Sequence, residues 1–302
     1  MRSSSVLAVL AFAGSAAAQT PLYAVTFGGS LYTLNTTTGA ATLVGATGFD
    51  RLNAAAMLSS GDIIAARFRN TAVPTDTNKL IRINPTTGAG TLICDFGTAR
   101  DIRGLAVANG DIVYAIQDNA TADSFHRIDL ATCNVTDIGP TGRNLLQGLC
   151  STPSGDVFAL DIGSGQVYKI DIATGAATLV GGAAAGDNQA LEFASGTLAY
   201  AARVNLVTVD LVTGTTTVIG PTGQTDIRGL AGFRPSGGGP ACYANCDLST
   251  TTPILNVNDF ICFNNAFAAG QSYANCDAST SPPVLNVNDF TCFLNAFAAG
   301  CS

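Results

Sequence analysis

The 302-residue chain carries a formal net charge of −7, a pI near 4.5 and only 12% charged residues. Nucleic acid and anionic membrane both demand clustered Lys and Arg, yet Lys79 and Lys169 are the only lysines and no basic run occurs. Thr, Ser, Asn and Gly must cover the surface, a composition that suits turn-rich β structure, and Glu192 and His126 are the sole residues of their types.

The N-terminus reads as an export signal over residues 1–18. Arg2 precedes an apolar stretch from Val6 to Ala13, and Ala16-Ala17-Ala18 forms a small-residue cleavage site before Gln19. The apolar run is far short of the ~20 residues a membrane span needs. The mature chain is therefore expected outside the cytoplasm, secreted or at the cell surface, without membrane insertion. In that compartment the nine cysteines read as disulfide candidates before metal ligands.

Residues 19–234 contain five imperfect repeats. Leu31–Gly45 recurs as Leu80–Cys94, Phe125–Gly139, Val167–Gly181 and Leu206–Gly220, each an alternating apolar strand, a tight turn around Thr-Gly and a second strand. Complementary halves begin at Leu52, Ile102, Leu146 and Asn188, each a small-residue strand, a turn and another strand. A full unit is four strands, A to D, repeating every ~39 to 49 residues, the length of a propeller blade. The chain starts with a B strand (Leu22–Val25) and leaves the repeats on an A strand (Ile227–Ala231). Joining the two closes a ring and removes exposed sheet edges. The expected fold is mainly β: a five-bladed β-propeller followed by a small α-helical, disulfide-linked module.

Aligning the A strands exposes a polar column: Asn53, Arg103, Gln147, Gln189 and Arg228, each followed by Ala or Gly. Two positions earlier stand Arg51, Asp101, Asp187 and Asp226. At the mouth of a propeller these side chains form a ring suited to a small polar ligand such as a sugar, an amide or a carboxylate. The competing reading is scaffolding, in which the groups satisfy one another and ordered water, with Asp101/Arg103 and Asp226/Arg228 as interblade salt bridges.

Other features read as structural. Asp62, Asp111 and Asp156 sit in Gly-Asp turns that use those residues for backbone reasons. His126 stands in a C strand next to Arg127 and is expected to be a lone exposed strand histidine. Cys94, near the end of a D strand, and Cys133, at a C-to-D turn, are expected on opposite faces, too far apart to pair. With Cys150 they are assigned as buried thiols. No Gly-x-Ser-x-Gly elbow, His-Glu-x-x-His helix or phosphate loop occurs, and a single glutamate leaves no evident carboxylate pair for glycoside hydrolysis. The inventory leans away from an enzyme.

Residues 235–241 are a Gly/Pro/Ser linker. Beyond them a unit is written twice, 242–270 and 271–302: Tyr243-Ala-Asn-Cys-Asp247, Leu255–Phe260 and Phe267–Gly270 return thirty positions later. Each copy predicts a short helix capped by Asn258 or Asp259 and by their counterparts. Phe260, Phe263 and Phe267, like Phe290, Phe293 and Phe297, line one face, so two helices can bury their phenylalanines together. Of the fifteen pairings that six cysteines allow, only Cys246–Cys262, Cys276–Cys292 and Cys242–Cys301 respect the repeat.

This tail resembles a type I dockerin, a tandem pair of EF-hand-like loop–helix units. The doubled Leu-Asn-Val-Asn-Asp-Phe is the most specific part of the resemblance, which covers only residues 242–302. It implies calcium held by Asn245, Asp247, Asn256 and Asp259 in the first unit and by Asn275, Asp277, Asn286 and Asp289 in the second. Against the family pattern, Tyr243 and Tyr273 replace the first acid, extra Ser, Thr and Pro residues interrupt the loop, and the cysteines are foreign. About four side chains per unit fall below the six to eight oxygens Ca²⁺ prefers. The resemblance also implies a cohesin-like extracellular partner. The first part resembles repeat-built propellers of secreted bacterial proteins. The expectation is a secreted, non-catalytic interaction protein, a propeller recognition surface attached through a dockerin-like module, with a glycan or polar small molecule at its mouth. A polysaccharide-degrading hydrolase of a cellulosome-like system and a structural surface-layer component are the alternatives.

Overall fold

A computed structural model describes residues 21–119, 121–182, 188–232, 244–246, 253–268, 274–277, 279 and 283–300. The expected export signal, the linker, Asp187, Asp247, Cys242 and Cys301 lie outside these residues. Three strands open the chain: β1 (Leu22–Thr26), β2 (Ser30–Leu34) and β3 (Ala41–Ala46). The second sheet is β4 (Leu52–Met57), β5 (Ile63–Arg67), β6 (Lys79–Ile83) and β7 (Gly90–Asp95). The third is β8 (Ile102–Ala108), β9 (Ile112–Gln117), β10 (Ser124–Ile128) and β11 (Val135–Pro140). The fourth comprises β12 (Leu146–Ser151), β13 (Val157–Asp161), β14 (Val167–Ile170) and β15 (Ala177–Gly181). The fifth is β16 (Ala190–Ser195), β17 (Leu198–Ala202), β18 (Asn205–Asp210) and β19 (Thr216–Pro221). The last strand, β20 (Ile227–Ala231), returns to pair antiparallel with β1, Ala24 facing Leu230, and completes the first sheet in the order β20-β1-β2-β3. The protein is a five-bladed β-propeller whose ring is closed by strands from both ends of the repeat array.

Each blade is held by chemistry that its repeat spells out. At every C-to-D turn an Asn or Asp side chain accepts two backbone N–H groups: Asn35 from Thr37 and Thr38, Asn84 from Thr86 and Thr87, Asp129 from Ala131 and Thr132, Asp171 from Ala173 and Thr174, Asp210 from Val212 and Thr213. The core lies between blades, not within them. Ile64, Leu80 and Ala66 of the second blade, for example, pack on Ile102, Leu105 and Val113 of the third.

Every D strand carries a bulge. Leu31 pairs with Gly45 but Tyr32 with Leu43, leaving Val44 extra, and the register shifts at the matching place in all five blades. A bulge bends its strand and adds twist. The end of each D strand is thereby laid on the next blade's C-to-D turn, where the Gly90 N–H donates to Thr47 O, Ala177 to Thr141 O and Ala41 to Thr222 O. Two glycines meet at these junctions: a Cβ at Gly88 would come within 3.0 Å of Gly45, one at Gly175 within 2.6 Å of Gly139, one at Gly39 within 2.5 Å of Gly220.

Between the second and third blades the same two positions are Cys94 and Cys133, and they form a disulfide with Cα atoms 5.5 Å apart. This corrects the expectation that they stay unpaired. Within one blade the D-strand end and the C-to-D turn are indeed remote, but the turn that Cys94 meets belongs to the following blade. Cys150 is a free buried cysteine.

Among the described residues of the tail are two helices, α1 (Val257–Ala268) and α2 (Val287–Ala299). Phe263 and Phe293, both fully buried, stack 4.2 Å apart, and Phe260 and Phe290 close on them edge-on at 5.4 and 5.2 Å. Cys246 is bonded to Cys262 and Cys276 to Cys292. The helix cap differs from expectation: it is Asn286, not Asn288, whose side chain accepts the Asn288 N–H while Asp289 accepts the Asn286 N–H. Asn256 and Asp259 do the same in α1. No helix among the described residues is long and apolar enough to cross a membrane.

Candidate functional site

The A strands β20, β4, β8, β12 and β16 surround the propeller axis, and the axis is sealed. The crevice bounded by Ala54, Leu105, Gly148, Ala190, Arg228 and Gly229 has an empty volume of about 140 Å³ but no room for a water molecule. The small residue after each polar one explains this. A Cβ on Gly229 would stand 2.4 Å from Ala55 N, and one on Gly148 2.8 Å from Leu191 N. The axis is thus closed by backbone, with no room there for the ordered water of the scaffolding reading.

Above this plug the polar column lies at the face that carries the D-to-A and B-to-C loops. Arg228 clamps Asp226 through Nε (2.6 Å) and Nη2 (3.3 Å), and its Nη1 donates to Asn53 Oδ1 at 3.5 Å. Arg103 clamps Asp101 in the same way at 2.9 and 2.6 Å and also reaches Asp118 at 2.9 Å. Each clamp joins an arginine on an A strand to the acid just before that strand, two positions earlier, so these pairs are intrablade, and not the interblade bridges considered above. The contacts that do cross blades are Arg228 to Asn53 and Arg203 to Asp226, the latter at 3.5 Å. Beneath the guanidinium groups lie aromatic rings: Arg228 and Arg51 over Phe27 at 5.0 and 5.6 Å, Arg103 over Phe68 at 5.5 Å. Gln147 is 4% exposed, and its Oε1 has no hydrogen-bond partner among the described residues. Gln189 is buried at the same level, its carbonyl accepting the Gly148 N–H.

Two acids at this face were not singled out by the repeat, because they sit in a B-to-C loop that does not recur. Asp118 joins the Arg103 clamp. Asp123 is almost fully buried, and its Oδ2 accepts the N–H groups of Leu145 and Leu146 at 2.9 and 2.7 Å. Burial, aided by the Asp118 charge, raises its pKa to about 6. A raised carboxyl is what a general acid needs, but this one is sealed from the mouth. Asp101 and Asp226 are open to solvent only beside their arginines. Among the described residues, no two acids here stand free on either side of a cleft.

His126 is buried, not exposed. β10 keeps an unbroken register with β9, so Phe125 and His126 face opposite sides, and neighbouring blades cover both sides of this strand. Its Nε2 lies 2.6 Å from Ser124 Oγ, which accepts from Asn119, and burial lowers its pKa. Asp137 is 3.7 Å from Nδ1 and largely exposed, too distant and too solvated to orient the ring as in a catalytic triad. The turn acids are structural: Asp62 pairs with Arg82, Asp156 with Lys169, and Asp111 accepts the N–H and hydroxyl of Ser59 across a blade boundary.

In the tail, Asn256 and Asp259 lie at the start of α1, and Asn275, Asp277, Asn286 and Asp289 around the start of α2. No group of three or more His, Cys, Asp or Glu side chains placed to hold a metal ion occurs among the described residues.

No family model matches the chain, and no curated protein matches it in sequence. Among solved structures it is similar to a symmetrical protein whose de novo evolutionary emergence is shaped by folding constraints, with TM-score 0.50 and 17% identity over 72% of this chain and 99% of that one. It also resembles TolB from Acinetobacter baumannii (TM-score 0.46, 14% identity, 67% of this chain and 53% of that one) and a chain of a nidogen/laminin complex (0.48, 12%, 70% and 97%). The chain spans about half the length of TolB. At these identities the likeness concerns the fold alone.

Proposed function

We propose that the protein is a secreted, non-catalytic recognition propeller whose Arg/Asn/Gln mouth takes a small polar ligand or glycan, and that its tail attaches it to an extracellular partner. The orphaned Gln147 Oε1 is the observation that carries the first part. A buried acceptor without a donor costs about 1–3 kcal/mol, and an N–H or O–H of a ligand restores the bond once the Gln147 amide turns outward from its buried position. The Arg103 and Arg228 clamps leave the neighbouring acids neutralised, which supports binding over a two-carboxylate hydrolase. Three disulfides suit an oxidising, extracellular setting.

For the tail, each unit presents an outward apolar stripe: Ile254, Val257 and Ile261 in the first, Val284, Val287 and Leu294 in the second. Val257 and Val287 are 69% and 75% exposed. Two such stripes, matching at Ile254/Val284 and Val257/Val287, support a dockerin-like plug for a cohesin-like receptor.

Calorimetric titration of the full chain with neutral saccharides, primary amides and carboxylates tests the mouth. A member of the panel is expected to give heat that Gln147→Leu and Arg228→Gln abolish. No heat with any of them, together with lowered melting of both variants, would leave the column as scaffolding.

A further inference from the structure

The tail's calcium-type side chains are committed elsewhere. In the second unit Asp289 is completely buried, and its Oδ2 accepts the Asn286 N–H at 2.8 Å while its Oδ1 accepts the Asp277 N–H at 3.3 Å. Asn275 Oδ1 and Asp277 Oδ1 both accept the Ser279 N–H, at 3.0 and 2.9 Å, and Asn286 Oδ1 accepts the Asn288 N–H at 2.9 Å. The first unit repeats the described part of this pattern, with a fully buried Asp259 accepting from Asn256 and Asn256 accepting from Asn258.

An EF-hand-type loop is normally drawn shut by converging oxygens around the ion. Here the oxygens converge on backbone N–H groups, and the disulfide Cys276–Cys292 ties the loop to the middle of its own helix, as Cys246–Cys262 does in the other copy. These residues do not fit a calcium site. We infer that each tail unit closes its loop with a buried capping aspartate and a disulfide in place of the ion, so that the fold of the tail depends on oxidation and not on calcium. The two devices act on the same short segment. The cysteine fixes the loop to the helix covalently, and the aspartate compensates the N–H groups that a metal-ordered loop turns inward.

The test is hydrogen–deuterium exchange of the full chain, read on peptides covering 257–268 and 287–299, in millimolar Ca²⁺, in EGTA and after reduction. Protection is expected to be the same in Ca²⁺ and EGTA and to be lost on reduction. Asp289→Asn, which removes the charge from the cap, is expected to weaken α2 equally in both solutions. Asp277→Asn, which keeps an acceptor for Ser279 but removes a calcium-type carboxylate, is expected to have the same effect in both solutions. A fall in protection of about tenfold or more on chelation would overturn the inference. So would full protection after reduction, or an Asp277→Asn defect seen only with Ca²⁺ present.

Discussion

Replacing Cys94 and Cys133 together by glycine recreates at the second-to-third blade junction the Gly–Gly contact found at the others. The disulfide spans 39 residues. In the chain-entropy account a loop of that length removes about 4 kcal/mol of freedom from the unfolded chain. Two smaller terms oppose each other. Cys133 sits at φ +60°, where a glycine is relieved of roughly 1 kcal/mol. A glycine within strand β7 loses roughly 0.5–1 kcal/mol of its own. The net loss is therefore about 3–4 kcal/mol, or roughly 6–16 °C in melting temperature for a unit of this size. Thermal unfolding without reductant, followed by β-sheet circular dichroism, measures it. The single variant Cys133→Ser, which keeps the left-handed residue and frees the Cys94 thiol, is expected to melt below the double glycine variant. A double variant that melts within ~2 °C of the wild type would refute the reasoning, since the junction would then be held by its packing alone.

Two further outcomes follow from the packing at the axis and beside the mouth. Gly229→Ala drives a Cβ to 2.4 Å from Ala55 N, whereas at Gly104 the nearest atoms are 3.2 Å away, so Gly229→Ala is expected to cost about 2–3 kcal/mol and Gly104→Ala less than about 1 in urea unfolding. Equal losses would show that the axial plug yields readily. Asp123 has its folded pKa raised from 3.8 to about 6, so the folded state holds a proton that the unfolded chain has released. Its contribution is fully present below pH ~4 and falls as pH rises to ~6, where the carboxyl ionises inside the protein. Asp123→Asn keeps an acceptor for Leu145 and Leu146 and removes the charge. It is expected to be nearly neutral at pH 4 and stabilising by about 1–3 kcal/mol at pH 8. Stabilisation that does not grow with pH would refute the assignment.

The ring was legible because each blade repeats the same local chemistry: an Asx turn, a Thr-Gly reversal, and a small-residue A strand. The offset between Leu22 and Ile227 gave its closure. What failed to read were relations between neighbouring blades. Cys94 and Cys133 each looked isolated within their own repeats, yet Cys94 aligns with Gly45, Gly139, Gly181 and Gly220, and Cys133 with Gly39, Gly88, Gly175 and Gly214. Both glycine columns are broken by cysteine in consecutive blades, which was the available signal. His126 was misplaced because neighbouring blades cover both faces of its strand, so alternation there does not separate buried from exposed residues. Asp118, Asp123, Phe27 and Phe68 were invisible to the repeat, since the B-to-C loops that hold them share no pattern.

That division also says where recognition can reside. The outer belt is fixed at its junctions by glycine pairs or the disulfide, and any Cβ there meets backbone within 3.0 Å at Gly39, Gly45, Gly139 and Gly175. The axial layer is equally confined, because Gly148 and Gly229 admit no side chain. The C-to-D turns at the opposite face are occupied by their own Asx hydrogen bonds. The B-to-C loops vary most in length from blade to blade, and with the D-to-A loops they form the other face. They carry Arg51, Arg69, Arg100, Arg143 and Arg203 around the clamped Arg103 and Arg228, while Arg82 and Lys169 face the turn acids of the other side. A chain so poor in charge gathers half of its cations where the scaffold leaves side chains free to differ, above a buried Gln147 whose Oε1 has no partner among the described residues.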